Sequence, residues 1–265
     1  MSGTEETEAE ESFDPMRQPL LAHLIELRRR LIWSLGAILV GFGVCYYFAP
    51  QIYEFLVRPL AEANGAAHRR LIYTGLTEAF VTYIKLALWG GCLLAFPVIA
   101  AQVWLFVAPG LYNHERKAFL PFLAATPVLF FAGAALAYYM VFPMAWAFFL
   151  SFETAGGGGG LPIQLEARVS EYLSLSMTII FAFGLAFQLP VALVLLARVG
   201  LVSAAKLSQF RRYAIVLIFV AAAILTPPDV ISQVSLALPL MALYEASVIA
   251  ARWMEKSRAK QQAAD

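Results

Sequence analysis

The sequence predicts an all-α integral membrane protein with six transmembrane helices, the last two short, and both termini in the cytoplasm (N-in, C-in). Three observations predict it. Of 265 residues, 61% are hydrophobic and 14% charged, whereas soluble domains carry about 25% charged residues. The apolar residues gather into six runs separated by polar, glycine- or proline-rich stretches, and mean hydropathy is +0.71. On that topology, fourteen of the nineteen lysines and arginines fall on one side and only Arg58, Arg69, Arg70, Lys85 and Arg168 on the other. The positive-inside rule makes the richer side cytoplasmic.

The chain divides into an acidic cytoplasmic tail (1–18) expected to be disordered, a membrane domain (19–252) and a polar cytoplasmic tail (253–265). The tail is too rich in glutamate to bury a core. No small-residue cleavage site follows a short apolar core, so no cleaved secretory leader is expected. From Leu20 to Leu31 the leucines recur at helical spacing. That spacing predicts an amphipathic turn whose Leu20, Leu24, Leu27 and Leu31 lie on lipid while His23, Glu26 and Arg30 face water. Arg28, Arg29 and Arg30 hold this end in the cytoplasm.

The first span runs over about 31–49 and stops at Pro50; its length suffices for ~30 Å of hydrocarbon. Residues 50–78 read as an ordered far-side loop in which 51–60 form an amphipathic helix ended by Pro59. The second span (about 79–107) contains Pro97, expected to kink it. The third (about 118–149) contains Pro121, Pro127 and Pro143. Residues 150–170, with the glycine run 156–160, read as a flexible far-side loop. The fourth span (about 171–196) contains Gln188-Leu189-Pro190. Residues 198–212 form a basic near-side loop. The fifth apolar run (213–225) is only about thirteen residues, and Thr226-Pro227-Pro228-Asp229 forces a turn that Asp229 can cap. The sixth run (230–251) is interrupted by Pro239. Trp33, Trp104, Trp146 and Trp253 read as interface anchors, and Lys85 as a snorkelling side chain.

Several function classes are excluded or disfavoured. Net charge is +1, which gives no reason to expect nucleic acid. Cys45 and Cys92 form no CxxC pair, and His23, His68 and His114 have no zinc-ligand spacing, so no metal or other cofactor is expected. No phosphate-binding glycine loop and no nucleophile–base pair is evident, which argues against an enzyme. A small-solute transporter would need a polar midplane path and paired broken helices; the sequence offers chiefly Gln188 and no internal repeat.

Two carboxylates remain, Glu26 before the first span and Glu115 between the second and third, both among arginines at the cytoplasmic interface. Spacing alone leaves two readings open. Glu26 can simply pair with Arg30 at i,i+4 and Glu115 be a solvated loop acid. Alternatively the two acids await a cationic ligand, for which a guanidinium, with its planar fork, is the natural partner.

The stretch Gln18-Pro19-Leu20-Leu21-Ala22-His23-Leu24-Ile25-Glu26-Leu27-Arg28-Arg29-Arg30-Leu31 resembles the start of TatC, the multispanning subunit of the twin-arginine protein translocase. Phe96-Pro97-Val98, the run from Gln102 to Tyr112, His114-Glu115-Arg116, Phe142-Pro143, Phe183-Gly184, Leu189-Pro190 and the run from Thr226 to Gln233 match it further along, in the same order. The resemblance implies six spans in a concave, glove-like arrangement in the cytoplasmic (inner) membrane. It implies a receptor for twin-arginine signal peptides that, with single-span TatA/TatB-type subunits and further TatC copies, moves folded proteins across the bilayer on the proton-motive force. It places the twin-arginine contact on Glu26 and Glu115, with Arg28 and Phe106 beside them, and marks Pro59, Pro97, Asp229 and Gln233 as structurally or functionally sensitive. Many relatives carry glutamate where this chain has Gln188. Glutamine keeps the hydrogen bonding but not the titration, so it is expected to contact a single-span partner without carrying a proton; its plainer role is to satisfy backbone freed by Pro190.

Overall fold

The computed structural model describes residues 17–62, 70–111, 120–154, 161–225 and 230–262. They fold into α1 (Arg17–Tyr47), α2 (Ala49–Glu62), α3 (Glu78–Leu111), α4 (Leu120–Leu136), a π turn (Ala137–Val141), α5 (Phe142–Leu150), α6 (Val169–Ala186), α7 (Leu189–Val199), α8 (Ala204–Gln209), α9 (Arg211–Leu225) and α10 (Val230–Gln262). Among these residues the only extended pairings are two isolated bridges. The acidic stretch before residue 17 and the glycine run lie outside the described residues, as do Glu115 and Asp229.

Among the described residues, five stretches are long and apolar enough to cross a membrane: 23–47, 78–106, 121–150, 169–198 and 233–256. The third joins α4, the π turn and α5 without interruption, and the fourth is α6 and α7 meeting at a break at Phe187–Gln188. The fifth apolar run is α9, whose fifteen residues reach about 22 Å at 1.5 Å per residue. That is short of the ~30 Å of unperturbed hydrocarbon.

The core lies where α4, α5, α6 and α10 meet. Phe142, Leu173, Ile179, Phe183, Leu236 and Val248 are fully buried there. By contrast α1 packs chiefly on α3, and only 11% of its most apolar window is buried, against 44% in the last span. Its free leucines therefore face lipid. The α1–α3 contact depends on Gly41 and Gly91: a Cβ on Gly91 would lie 2.5 Å from the Phe42 nitrogen, so only glycine lets the two backbones touch.

Several expectations are corrected. Pro59 does not end α2; the helix continues to Glu62 with Pro59 buried inside it. The basic stretch 198–212 is not simply a loop. Gly200, at φ +82°, closes α7, and Ser203 caps α8 by accepting the Lys206 N–H at 3.2 Å. Trp104 and Trp146 are not lipid-facing anchors, for both are buried. Position along a span gives a side chain's depth but not the direction it faces, and both indoles turn inward, that of Trp104 to a hydroxyl on α4. The described flanks of the far-side loop are tied down rather than free. Thr154 and Ile163 exchange backbone hydrogen bonds at 2.9 Å, and Ile72 pairs with the segment around Arg168. Glu78 reinforces this cap, accepting from the N–H groups of Thr74 and Gly75 and from the Ser170 hydroxyl at 2.6 Å. The last span is not short: α10 continues past Pro239 and through Gln262, so the C-terminal tail also begins as helix.

Candidate functional site

At the arginine-rich end of α1, helical periodicity puts His23, Glu26 and Arg30 on one stripe. The structure brings that stripe against α3, with His23 still exposed and Glu26 and Arg30 half-buried. The Nε of Arg30 donates to Glu26 Oε1 at 3.0 Å, and its Nη2 donates to the same oxygen. Arg30 Nη1 donates to Gln102 Oε1 of α3 at 3.3 Å. One turn further along α3, Phe106 stacks on the His23 ring, with centroids 4.2 Å apart. The i,i+4 pairing of Glu26 and Arg30 is thus real, but it belongs to a bridge between two helices.

Arg30 is the more buried of the pair, its side chain 16% exposed against 25% for Glu26. Both donors converge on Oε1. The carboxylate therefore keeps capacity for a further donor, and it is within reach of solvent. Arg28 is exposed on the neighbouring face. The backbone of α3 runs on to Leu111, four residues before Glu115. Chemically, this end of the molecule offers an acid already holding a guanidinium, flanked by an aromatic ring.

A second polar cluster lies inside the helical layer. Gln188 sits at the α6–α7 break, where its own N–H bonds to Leu185 instead of Gly184. Its side-chain Nε2 donates to the Thr126 carbonyl of α4 at 3.0 Å and reaches back toward the Gly184 carbonyl at 3.5 Å. The Trp104 indole N–H donates to the Thr126 hydroxyl at 2.7 Å, and that hydroxyl donates to the Phe122 carbonyl. These groups edge a cavity of about 350 Å³ whose remaining lining is apolar, including Phe96, Ile99 and Val191. Its borders include Val103 and Leu185, each more than half exposed, so it opens sideways toward lipid. Such a groove suits an apolar helix with one polar group better than a hydrated solute.

The remaining sensitive positions are scattered. Pro59 is buried in α2, Pro97 is exposed on α3, and Gln233 holds α10 to α9 by donating to the Phe219 carbonyl at 3.1 Å. None of them joins the Glu26 cluster. Sequence reasoning missed Arg30 and Gln102 as a bridge, because a contact between residues 72 apart leaves no trace in local spacing. Among the described residues no group of three His, Cys, Asp or Glu side chains could hold a metal ion.

The family described as "Sec-independent protein translocase protein (TatC)" matches residues 22–239. Relatives bearing the same description include one from Magnetococcus marinus, 53% identical over 94% of this chain and 89% of its own length. Another, from Rickettsia prowazekii, is 47% identical over 89% and 93% respectively. A third, from Escherichia coli K12, is 40% identical over 89% of each chain. Among solved structures, the crystal structure of the twin-arginine translocase receptor TatC in the detergent DDM superposes with a TM-score of 0.73. It is 39% identical, covering 86% of this chain and 98% of that one.

Proposed function

The chain belongs to the TatC family of Sec-independent protein translocase proteins, and on that premise we propose that it is the signal-peptide receptor of a twin-arginine translocase. In this reading α9 is a short sixth span, the termini are cytoplasmic, and the helices form a concave body in the inner membrane. Glu26 and Glu115 grip the two consecutive arginines of a signal peptide, with Arg28 and Phe106 shaping the contact. Gln188 faces the helix of a single-span TatA/TatB-type subunit. Further TatC copies complete the assembly, and the proton-motive force drives folded cargo across. Pro59, Pro97, Asp229 and Gln233 keep the helices in shape around these sites.

One observation carries the proposal: Glu26 is already ligated by a guanidinium. Arg30 occupies the carboxylate in the way a peptide arginine would, by Nε and Nη2. A ligand with two guanidinium groups can compete with it or add to it, because both Arg30 donors fall on Oε1 and the carboxylate keeps acceptor capacity. Lysine lacks the fork and cannot substitute.

The test is binding of a twin-arginine peptide and its twin-lysine counterpart to the purified full chain, with crosslinking from positions beside Glu115. The proposal expects the arginine peptide to bind more tightly and to crosslink at both Glu26 and Glu115 neighbourhoods. Equal binding of the two peptides would sink it. A solute transporter gains no support from the near-apolar lining of the Gln188 groove.

A further inference from the structure

A second cavity, of about 400 Å³, lies at the other end of the protein, where α2 crosses the π turn. Its apolar lining is Phe55, Pro59, Tyr138, Tyr139 and Pro143. Its mouth carries Arg58 and Glu62. Tyr139 lies eighteen residues along the helix from Pro121, about 27 Å at 1.5 Å per residue. That is close to one hydrocarbon thickness, and Tyr139 is 71% exposed.

The mouth has a specific charge pattern. Arg58 Nε donates to Glu62 Oε1 at 2.6 Å, and the two side chains are 71% and 64% exposed. An exposed i,i+4 pair contributes little to stability, so stability does not explain its place beside an aromatic cavity. A guanidinium has five donors and a carboxylate about four acceptor positions, so their mutual contact leaves capacity on both. The result is a cation and an anion side by side at the exposed edge of the cavity.

We propose that this cavity binds the headgroup of a zwitterionic aminophospholipid. The phosphate lies on Arg58 and the primary ammonium on Glu62, with the first acyl carbons along Tyr139 and Pro143. Charge complementarity selects this occupant. A phosphatidylglycerol head offers nothing cationic to Glu62, and the quaternary ammonium of phosphatidylcholine has no N–H to donate to it. The site is remote from Glu26 and independent of the peptide-receptor reading, so either can fail without the other.

The test is native mass spectrometry of the intact chain with palmitoyl-oleoyl phosphatidylethanolamine, phosphatidylcholine and phosphatidylglycerol in turn. Thermal melting in the same detergent checks that each variant is folded. The ethanolamine lipid should be retained several-fold over the choline lipid. Arg58→Gln should cut its retention about tenfold, the loss of one charge-assisted contact, and lower phosphatidylglycerol as well. Glu62→Gln should cut the ethanolamine lipid similarly while leaving phosphatidylglycerol unchanged or raised. Equal retention of ethanolamine and choline lipids by the unaltered chain overturns the proposal. So does a preference that survives Glu62→Gln, or crosslinking of Tyr139 to another protein's helix in place of lipid.

Discussion

The Tyr138 hydroxyl donates to the Phe55 carbonyl at 2.7 Å, the carbonyl that Pro59, four residues on, cannot serve. A proline inside a helix removes the i→i−4 hydrogen bond, and in a membrane protein the freed carbonyl must find another donor. The next carbonyl, of Leu56, receives the Tyr172 hydroxyl at 2.7 Å. Two tyrosines from different helices thus fasten α2 at its proline, and the Phe55 ring stacks on Tyr138 at 4.2 Å. Pro59 shapes the far-side cap by freeing a backbone group for a tertiary contact.

That relationship gives a coupled prediction. Tyr138→Phe should destabilise the chain by about 1 kcal/mol, because it leaves a part-buried acceptor unpaired. In a Pro59→Ala background the restored backbone N–H can serve Phe55, so the same tyrosine substitution should cost clearly less. A double-mutant cycle read by thermal melting in detergent checks this. Additive costs would mean that the proline and the tyrosine act separately.

Much of the fold was legible because the bilayer allows few solutions: long apolar runs must be helices. Gln188-Leu189-Pro190 marks a place where α6 gives way to α7, since proline cannot continue the ladder there. The π turn at Ala137–Val141 was not legible, because nothing in Ala137-Tyr138-Tyr139-Met140-Val141 departs from ordinary helix-compatible sequence. Glu26 was visible as a carboxylate among arginines. Its bridge through Arg30 to Gln102 was not, because that contact depends on how α1 is rotated about its own axis. The close approach of Gly41 and Gly91 sets that rotation, and sequence spacing gives no measure of it.

The glycines of α1, together with Gly91 of α3, should therefore separate into two kinds. Gly91→Ala places a Cβ 2.5 Å from the Phe42 nitrogen, and Gly41→Ala places one 2.7 Å from the Gly91 carbonyl oxygen. Both force the helices apart and should cost several kcal/mol, in the manner of overpacked cores. Gly36 and Gly43 have nothing within 4 Å of a built Cβ, so alanine there should be neutral or stabilising by up to about 1 kcal/mol. Melting temperatures of the four single variants test the separation.

Gln188→Leu should destabilise modestly and act on one partner only. It removes the donor to the Thr126 carbonyl, an exchange worth about 1 kcal/mol inside a membrane. Crosslinks from α7 to a single-span subunit should fall, while binding of a twin-arginine peptide stays within about twofold. Loss of both together would identify a folding defect instead.

The sharpest prediction concerns Arg30 as an internal competitor. If its guanidinium stands where a peptide arginine goes, then Arg30→Gln empties Glu26 and removes a like charge from the site. Twin-arginine peptide affinity should then rise, by up to about tenfold for one charge-assisted contact. Glu26→Gln removes the acceptor charge and should lower affinity by about ten- to a hundredfold. The two effects should shrink together as salt is raised from 0.05 to 0.5 M, roughly, since a partly exposed pair is screened within a Debye length of about 10 Å at 0.1 M. The α1–α3 contact at Gly41 and Gly91 is untouched by either change, so both variants should melt within a few degrees of the unaltered chain. Isothermal titration of the peptide against each variant at two salt concentrations reads all of this. Weaker binding by Arg30→Gln, with its melting unchanged, would show that Arg30 supports the ligand rather than standing in its place.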